Sequence, residues 1–152
     1  MLEREIPWLR DSDALQEEAN ARTVLVRCPG GSVKVSLFGE IKFGRVGEPT
    51  LTEDGIIRVA SMLDLAGTKV KALLQRVESK DYLDIAALIS AGVAIERVLG
   101  SARSLFGPAF NPLIARKTLA YFEGGDLASL PEAVKGLLVE HATRDVEVLP
   151  LP

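Results

Sequence analysis

The hydrophobic period of this chain changes once, near Ser61, and that switch limits the folds open to it. Before Ser61 the apolar residues come in short, alternating runs; after it they recur at helical spacing. Thr23-Val24-Leu25-Val26-Arg27 is short and β-branched, Cys28-Pro29-Gly30-Gly31 is turn chemistry, and Ser32 to Phe38 alternates. These segments predict an antiparallel hairpin with one buried face, Val33, Val35 and Leu37 pointing one way and Lys34, Ser36 and Phe38 the other. A short extended piece is expected near Ile41-Lys42-Phe43. Ile56-Ile57-Arg58-Val59 reads as the last strand, opened by the turn Glu53-Asp54-Gly55.

Beyond Ser61 the punctuation is helical. Ser61 is an N-cap with Asp64 three residues on, which predicts a first helix running to about Val77 or Glu78. A second covers Lys80 to Ala91 and ends at Gly92. A third spans Ile95 to Phe106 and stops at Gly107-Pro108. Asn111-Pro112 pairs an N-cap with a proline at the first helical position and starts a helix reaching Gly124-Gly125. Ser129-Leu130-Pro131-Glu132 opens the last, which extends to Arg144. The Leu149-Pro150-Leu151-Pro152 tail cannot continue a helix and is expected to lie along the surface or fray. The fold class is therefore α+β by segregation: a small antiparallel sheet over residues 1–60, then a bundle of about five helices over 61–152.

Size and composition exclude several classes of function. At 152 residues the chain is one ordinary domain, or a sheet part plus a helical part. A net charge of −3 argues against coating nucleic acid by bulk charge, though not against a local basic groove. No apolar run approaches the roughly 20 residues that span a bilayer, so no membrane is expected as a partner. A single cysteine, Cys28, forms no internal disulfide, which makes a reducing cytoplasm the expected compartment. Cys28 and the only histidine, His141, are too few for a zinc site, so any metal would rest on carboxylates.

The chemistry concentrates between Lys69 and Asp84. On one continuous helix, Lys69, Arg76 and Lys80 fall within about 40° of one another, with Lys71 on the far side. An apolar stripe of Ala66, Val70, Leu73, Leu74 and Val77 runs beside that row, and Asp81 would land within the stripe, a costly place for an unpaired charge. Either the chain kinks near Ser79, or Asp81 is buried and paired with a cation. Asp81 and Asp84 are neighbours at i,i+3 and can share one partner. Two readings stay open on spacing alone. The charges are ion pairs on a solvated face, or they form a phosphate-binding row in which lysine and arginine hold phosphate oxygens and an aspartate orders the lysine or a Mg²⁺ ion.

Lys69, Ala72, Arg76, Lys80, Asp81 and Asp84 spell K-x-x-A-x-x-x-R-x-x-x-K-D-x-x-D. This string resembles the C-terminal signature of the AbiEii-type nucleotidyltransferases, the toxin halves of a class of bacterial toxin–antitoxin systems. Val33-Lys34-Val35-Ser36, Gly44-Arg45-Val46, Arg58-Val59-Ala60-Ser61, Asp64-Leu65-Ala66-Gly67-Thr68 and Tyr121-Phe122-Glu123 with Gly125-Asp126-Leu127 are similar to one branch of the family. The resemblance implies that the Lys69 helix faces an active-site cleft. Lys69, Arg76 and Lys80 are then nucleotide-phosphate contacts, and Asp81 and Asp84 are catalytic carboxylates that orient Lys69 or assist a metal. It also implies Mg²⁺ and a nucleoside triphosphate as cofactor and substrate, neither tightly bound, with an RNA acceptor and a cognate antitoxin as partners.

The family's second signature, a glycine pair followed by Asp-x-Asp, has no full counterpart. Asp11-Ser12-Asp13 has the spacing without the glycines and reads as a capping loop. Gly30-Gly31-Ser32 has the glycines but sits in a hairpin turn. Ser36 stands on a strand where relatives place a third carboxylate. The expectation is thus a truncated nucleotidyltransferase fold, N-terminally shortened or degenerate and inactive as a transferase. The alternative is a non-catalytic module that dimerises or docks a partner through an exposed sheet edge. Among single residues, Trp8 reads as a packing anchor, Tyr82 as core-edge packing and His141 as surface. Arg116 and Lys117 read as a solvated face rather than an extension of a basic groove.

Overall fold

The computed structural model describes residues 12–151; Trp8 and Asp11 lie outside the described residues. The chain divides into two compact units, one ending at Lys42 and the other beginning at Phe43.

The first unit is a three-stranded antiparallel sheet in the order β1-β2-β3, with β1 at Asp13–Glu18, β2 at Ala21–Cys28 and β3 at Gly31–Phe38. The β2–β3 hairpin closes with Cys28 opposite Gly31, whose φ of 132° is open to glycine. Val24 pairs with Val35 and is buried, and Thr23 on the opposite face shares a 2.9 Å hydrogen bond with Ser36. Burial thus centres on Thr23 and Val24 rather than on the whole predicted face. Val35 and Leu37 are half-buried, but Val33, near the turn, is exposed. β1 carries a register shift between Ala14 and Gln16. Asp13 opens this strand instead of capping a loop, and its carboxylate pairs with Arg27 at 3.1 Å.

The second unit begins with irregular chain, so the extended piece expected near Phe43 does not form. A two-residue ladder follows, β4 (Thr50–Leu51) against β5 (Arg58–Val59). Five helices complete the unit: α1 (Met62–Leu73), α2 (Ser79–Ser90), α3 (Ile95–Phe106), α4 (Pro112–Leu119) and α5 (Glu132–Thr143), with short 3₁₀ turns at Gly107–Ala109 and Leu127–Ser129. This is the small sheet followed by a five-helix bundle that the periodicity predicts. The core is built from the helices, with Val70, Ile85, Leu99, Leu119 and Leu138 all fully buried.

Local chemistry explains most helix ends. Ser61 Oγ accepts from the Asp64 N–H at 3.1 Å and donates to the Asp64 carboxylate at 2.7 Å, closing a reciprocal cap on α1. The same carboxylate accepts from the backbone N–H groups of Val46 (2.6 Å) and Gly47 (3.2 Å), tying the preceding loop to the helix. Asn111 Oδ1 caps α4 by accepting from Leu113 and Ile114. α4 stops at Leu119, earlier than predicted, and Tyr82, buried on α2, donates towards the carbonyls of Thr118 and Tyr121 near that end, each at 3.2 Å. The last described residues run along α3, where Ser104 donates to the Leu151 carbonyl at 2.8 Å.

Candidate functional site

The first helix ends at Leu73, not at Val77 or Glu78, and residues 74–78 are not helical. No glycine or proline marks this break. Its cause is tertiary. The backbone N–H and hydroxyl of Ser79 donate to the Asp126 carboxylate at 2.6 and 2.7 Å, so a residue far along the chain supplies the cap that Glu78 does not. Gly125, at φ 52°, lies so close that a Cβ there would stand 2.3 Å from the Val77 carbonyl oxygen. The hydroxyl and backbone hydrogen bonds of Ser79 hold the Asp126 carboxyl below its usual range.

The break turns Arg76 back onto the first turn of α2. Its Nε donates to Asp81 Oδ2 at 2.7 Å and its Nη2 to Oδ1 at 2.9 Å, a bidentate fork. The Asp81 side chain is wholly buried. Burial alone would raise its pKa, but the hydrogen bonds and charge of Arg76, with Lys69 and Lys80 behind them, outweigh that and hold it below the usual carboxylate range. Both alternatives posed by the sequence are thus realised together, since the chain breaks and Asp81 is buried and paired.

Lys69, on α1, reaches the same cluster. Its Nζ lies 2.5 Å from Asp84 Oδ2 and 3.7 Å from Asp81 Oδ1. Lys69, Arg76, Asp81 and Asp84 therefore form one network in which the two carboxylates of α2 share the two cations. Among the described residues Lys80 touches neither aspartate and joins the network only through Glu78, which also lies 3.7 Å from Arg76 Nε. Lys80 is largely exposed and pairs with Glu78 at 2.9 Å, so the three cations do not form a single row. The physical reason is the break, which gives Lys80 a different helix axis from Lys69. Lys71, placed on the far side by spacing, lies over the Phe106 ring at 5.6 Å.

Other candidates resolve into structural roles. Arg116 donates from Nε to the Ala142 carbonyl at 2.8 Å and from Nη2 to that of Arg144, where α5 ends, so it closes a helix terminus instead of widening a basic groove. Lys117 is exposed. His141 is half-buried, its Nδ1 enclosed without a hydrogen-bond partner, rather than a plain surface residue. Cys28 is exposed at the hairpin turn. Sequence reasoning missed Asp126 as a determinant of the site; its signals were its place after two glycines and within a segment similar to one branch of the family.

The cluster does not suit a divalent cation. Both Asp81 oxygens are engaged by Arg76, which leaves Asp84 as one accessible carboxylate. Among the described residues no three His, Cys, Asp or Glu side chains come together as metal ligands. No described helix is long and apolar enough to cross a membrane.

The family described as "Nucleotidyl transferase AbiEii toxin, Type IV TA system" matches this chain over residues 8–139, most of its length. No curated protein and no solved structure gives a match.

Proposed function

We infer the function from one premise: this chain belongs to the AbiEii nucleotidyl transferase toxin family. On it we propose that α1 and α2 carry a nucleotide-phosphate site in which Lys69 is the principal contact. The observation that carries this reading is the placement of the Lys69 ammonium between Asp81 and Asp84. A lysine held between two carboxylates is aimed, as a phosphate contact needs to be. Arg76 serves first to fix Asp81, and only its outer N–H groups, on Nη1 and Nη2, are left for a ligand. Lys80 plays no direct part.

The described residues do not assemble the carboxylate set that Mg²⁺-dependent transfer requires, so the chain is proposed to bind nucleoside triphosphate without passing a nucleotide to an acceptor such as RNA. Calorimetry with GTP and the other nucleoside triphosphates, wild type against Lys69→Ala, tests the site. Binding heat lost in the variant is the expected result, and identical heats remove the phosphate role. Nucleotide transfer by the wild type that disappears in Asp11→Ala or Asp13→Ala would overturn the proposed inactivity.

A second reading is favoured by the sheet. Among the described strands β1 and β3 are its two edges, and Leu15, Val33 and Phe38 on them are exposed. Unpaired edge strands accept a further strand, from a second copy of this chain or from a cognate antitoxin. Light scattering behind size exclusion tests this reading: a dimer is its expected result, and a strict monomer counts against self-pairing.

A further inference from the structure

The two carboxylates around Lys69 are not equivalent, and the difference points to how an anion would enter. This inference rests on the phosphate role of Lys69 proposed above. We propose that Asp84 is a resident counter-ion of Lys69, a built-in stand-in that the phosphate chain of a nucleoside triphosphate displaces.

Asp81 cannot exchange. It has no exposed surface, and both oxygens are held by the Arg76 fork. Asp84 can. Its side chain is 45% exposed, and its one ion-pair or hydrogen-bond partner among the described residues is Lys69. Yet Asp84 makes the shorter contact to the ammonium, 2.5 Å against 3.7 Å for Asp81. The lysine is thus occupied on its solvent side by the carboxylate most easily moved. A surface-accessible pair of this kind is worth little in water, so an anion carrying several charges can replace it.

The charge balance follows the same path. Lys69, Arg76, Asp81 and Asp84 sum to zero; when Asp84 swings away, the three that remain carry one net positive charge at the Lys69 ammonium. Asp84 therefore acts as a filter. It opposes weak or singly charged anions and yields to a polyphosphate, with the base and sugar contributing nothing to the exchange.

The test is calorimetry with inorganic triphosphate and with GTP on the full chain, without added divalent cation. The proteins are wild type, Asp84→Asn, Glu78→Gln, Lys69→Met and the Lys69→Met/Asp84→Asn double variant. Glu78→Gln removes the same charge from the neighbourhood but frees no Lys69 contact, since Glu78 pairs with Lys80 and Arg76. The expected result is that Asp84→Asn tightens both ligands about fivefold. Glu78→Gln should stay within about twofold, and Asp84→Asn should have no effect once Lys69 is gone. Weaker binding by Asp84→Asn overturns the proposal, because Asp84 would then assist the ligand. Equal tightening by Glu78→Gln, or tightening that survives in the Lys69→Met background, overturns it too, by showing general charge alone. The first two of these outcomes leave the phosphate site standing, whereas binding that persists without Lys69 also counts against its phosphate role. Absence of binding by every protein, Asp84→Asn included, defeats the phosphate site itself and this inference with it.

Discussion

Asp81 is the residue on which the site depends, because a buried carboxylate is stable only while its partners stay in place. Removing one member of such a pair leaves the other uncompensated, typically at a cost of 3–5 kcal/mol. Arg76 is partly exposed and can rehydrate, so Asp81→Asn is expected at the lower end, about 3 kcal/mol less stable by urea unfolding at neutral pH. The pH dependence has a fixed sign. The folded-state pKa of Asp81 lies below its ordinary value of 3.8, so its ionisation stabilises the fold above that value, and the contribution is lost as the pH falls through the folded pKa. Wild-type stability should therefore drop as the pH is lowered from 4, with the drop reduced in Asp81→Asn. Equal acid sensitivity in the two proteins would show that Asp81 is not the group responsible. This residue was legible in the sequence, since a charge predicted to fall in an apolar stripe demanded a partner or a kink. Its partner was less so. Arg76 appeared as a phosphate contact because nothing in the spacing reveals that its fork turns inward.

Between elements, α1 and α3 meet closely at Gly67. Gly67 faces Ser101, whose Oγ donates to the Leu63 carbonyl at 2.5 Å, and a Cβ on Gly67 would stand 2.7 Å from that oxygen and 3.0 Å from the Ala102 nitrogen. Two effects oppose each other in Gly67→Ala. Helix propensity gains up to about 1 kcal/mol, and overpacking costs about 1–3 kcal/mol. The obstructing atoms are the bonded Ser101 hydroxyl, Leu105 Cδ1 at 2.9 Å, which can swing aside, and the Ala102 backbone nitrogen, which cannot, so overpacking wins. Gly67→Ala is expected to be about 1 kcal/mol less stable, measured by thermal or urea unfolding; a stabilised variant would mean that the helices separate at little cost. The elements show why some boundaries could be read and others not. α3 runs from Ile95 to Phe106 as predicted, because Gly107-Pro108 ends it locally. The end of α1 could not be read, because Asp126 and Gly125 impose it from far along the chain. β1 was equally hidden. Ala14, Leu15, Gln16, Glu17 and Glu18 are good helix formers, and only pairing with β2 makes them a strand.

For the whole molecule, the switch of period near Ser61 was enough to give the class, a small sheet followed by a helical bundle, while the division into units needs three-dimensional contacts. The structure divides between Lys42 and Phe43, ahead of the change in period, because the loop after Phe43 belongs with the helices. Asp64 holds it through Val46 and Gly47, and the Phe43 ring packs against Phe106 at 5.1 Å. Among the described residues, every member of the large buried cluster lies between Ala66 and Ala142, and none comes from the first unit. A segment of about 100 residues with its own continuous core is long enough to fold alone. A three-stranded sheet of about 30 residues is below the size at which a core usually suffices. The fragment from Phe43 to Pro152 is therefore expected to keep a helical circular dichroism spectrum and a single cooperative melt, whereas the fragment ending at Lys42 should show no cooperative melt. The acid sensitivity assigned to Asp81 should pass intact to the larger fragment, because Lys69, Arg76 and Asp84 all lie within it. A larger fragment with helical signal but no cooperative melt would mean that the helices need the sheet to pack, and the ionic cluster would then have to be reassigned to the complete chain.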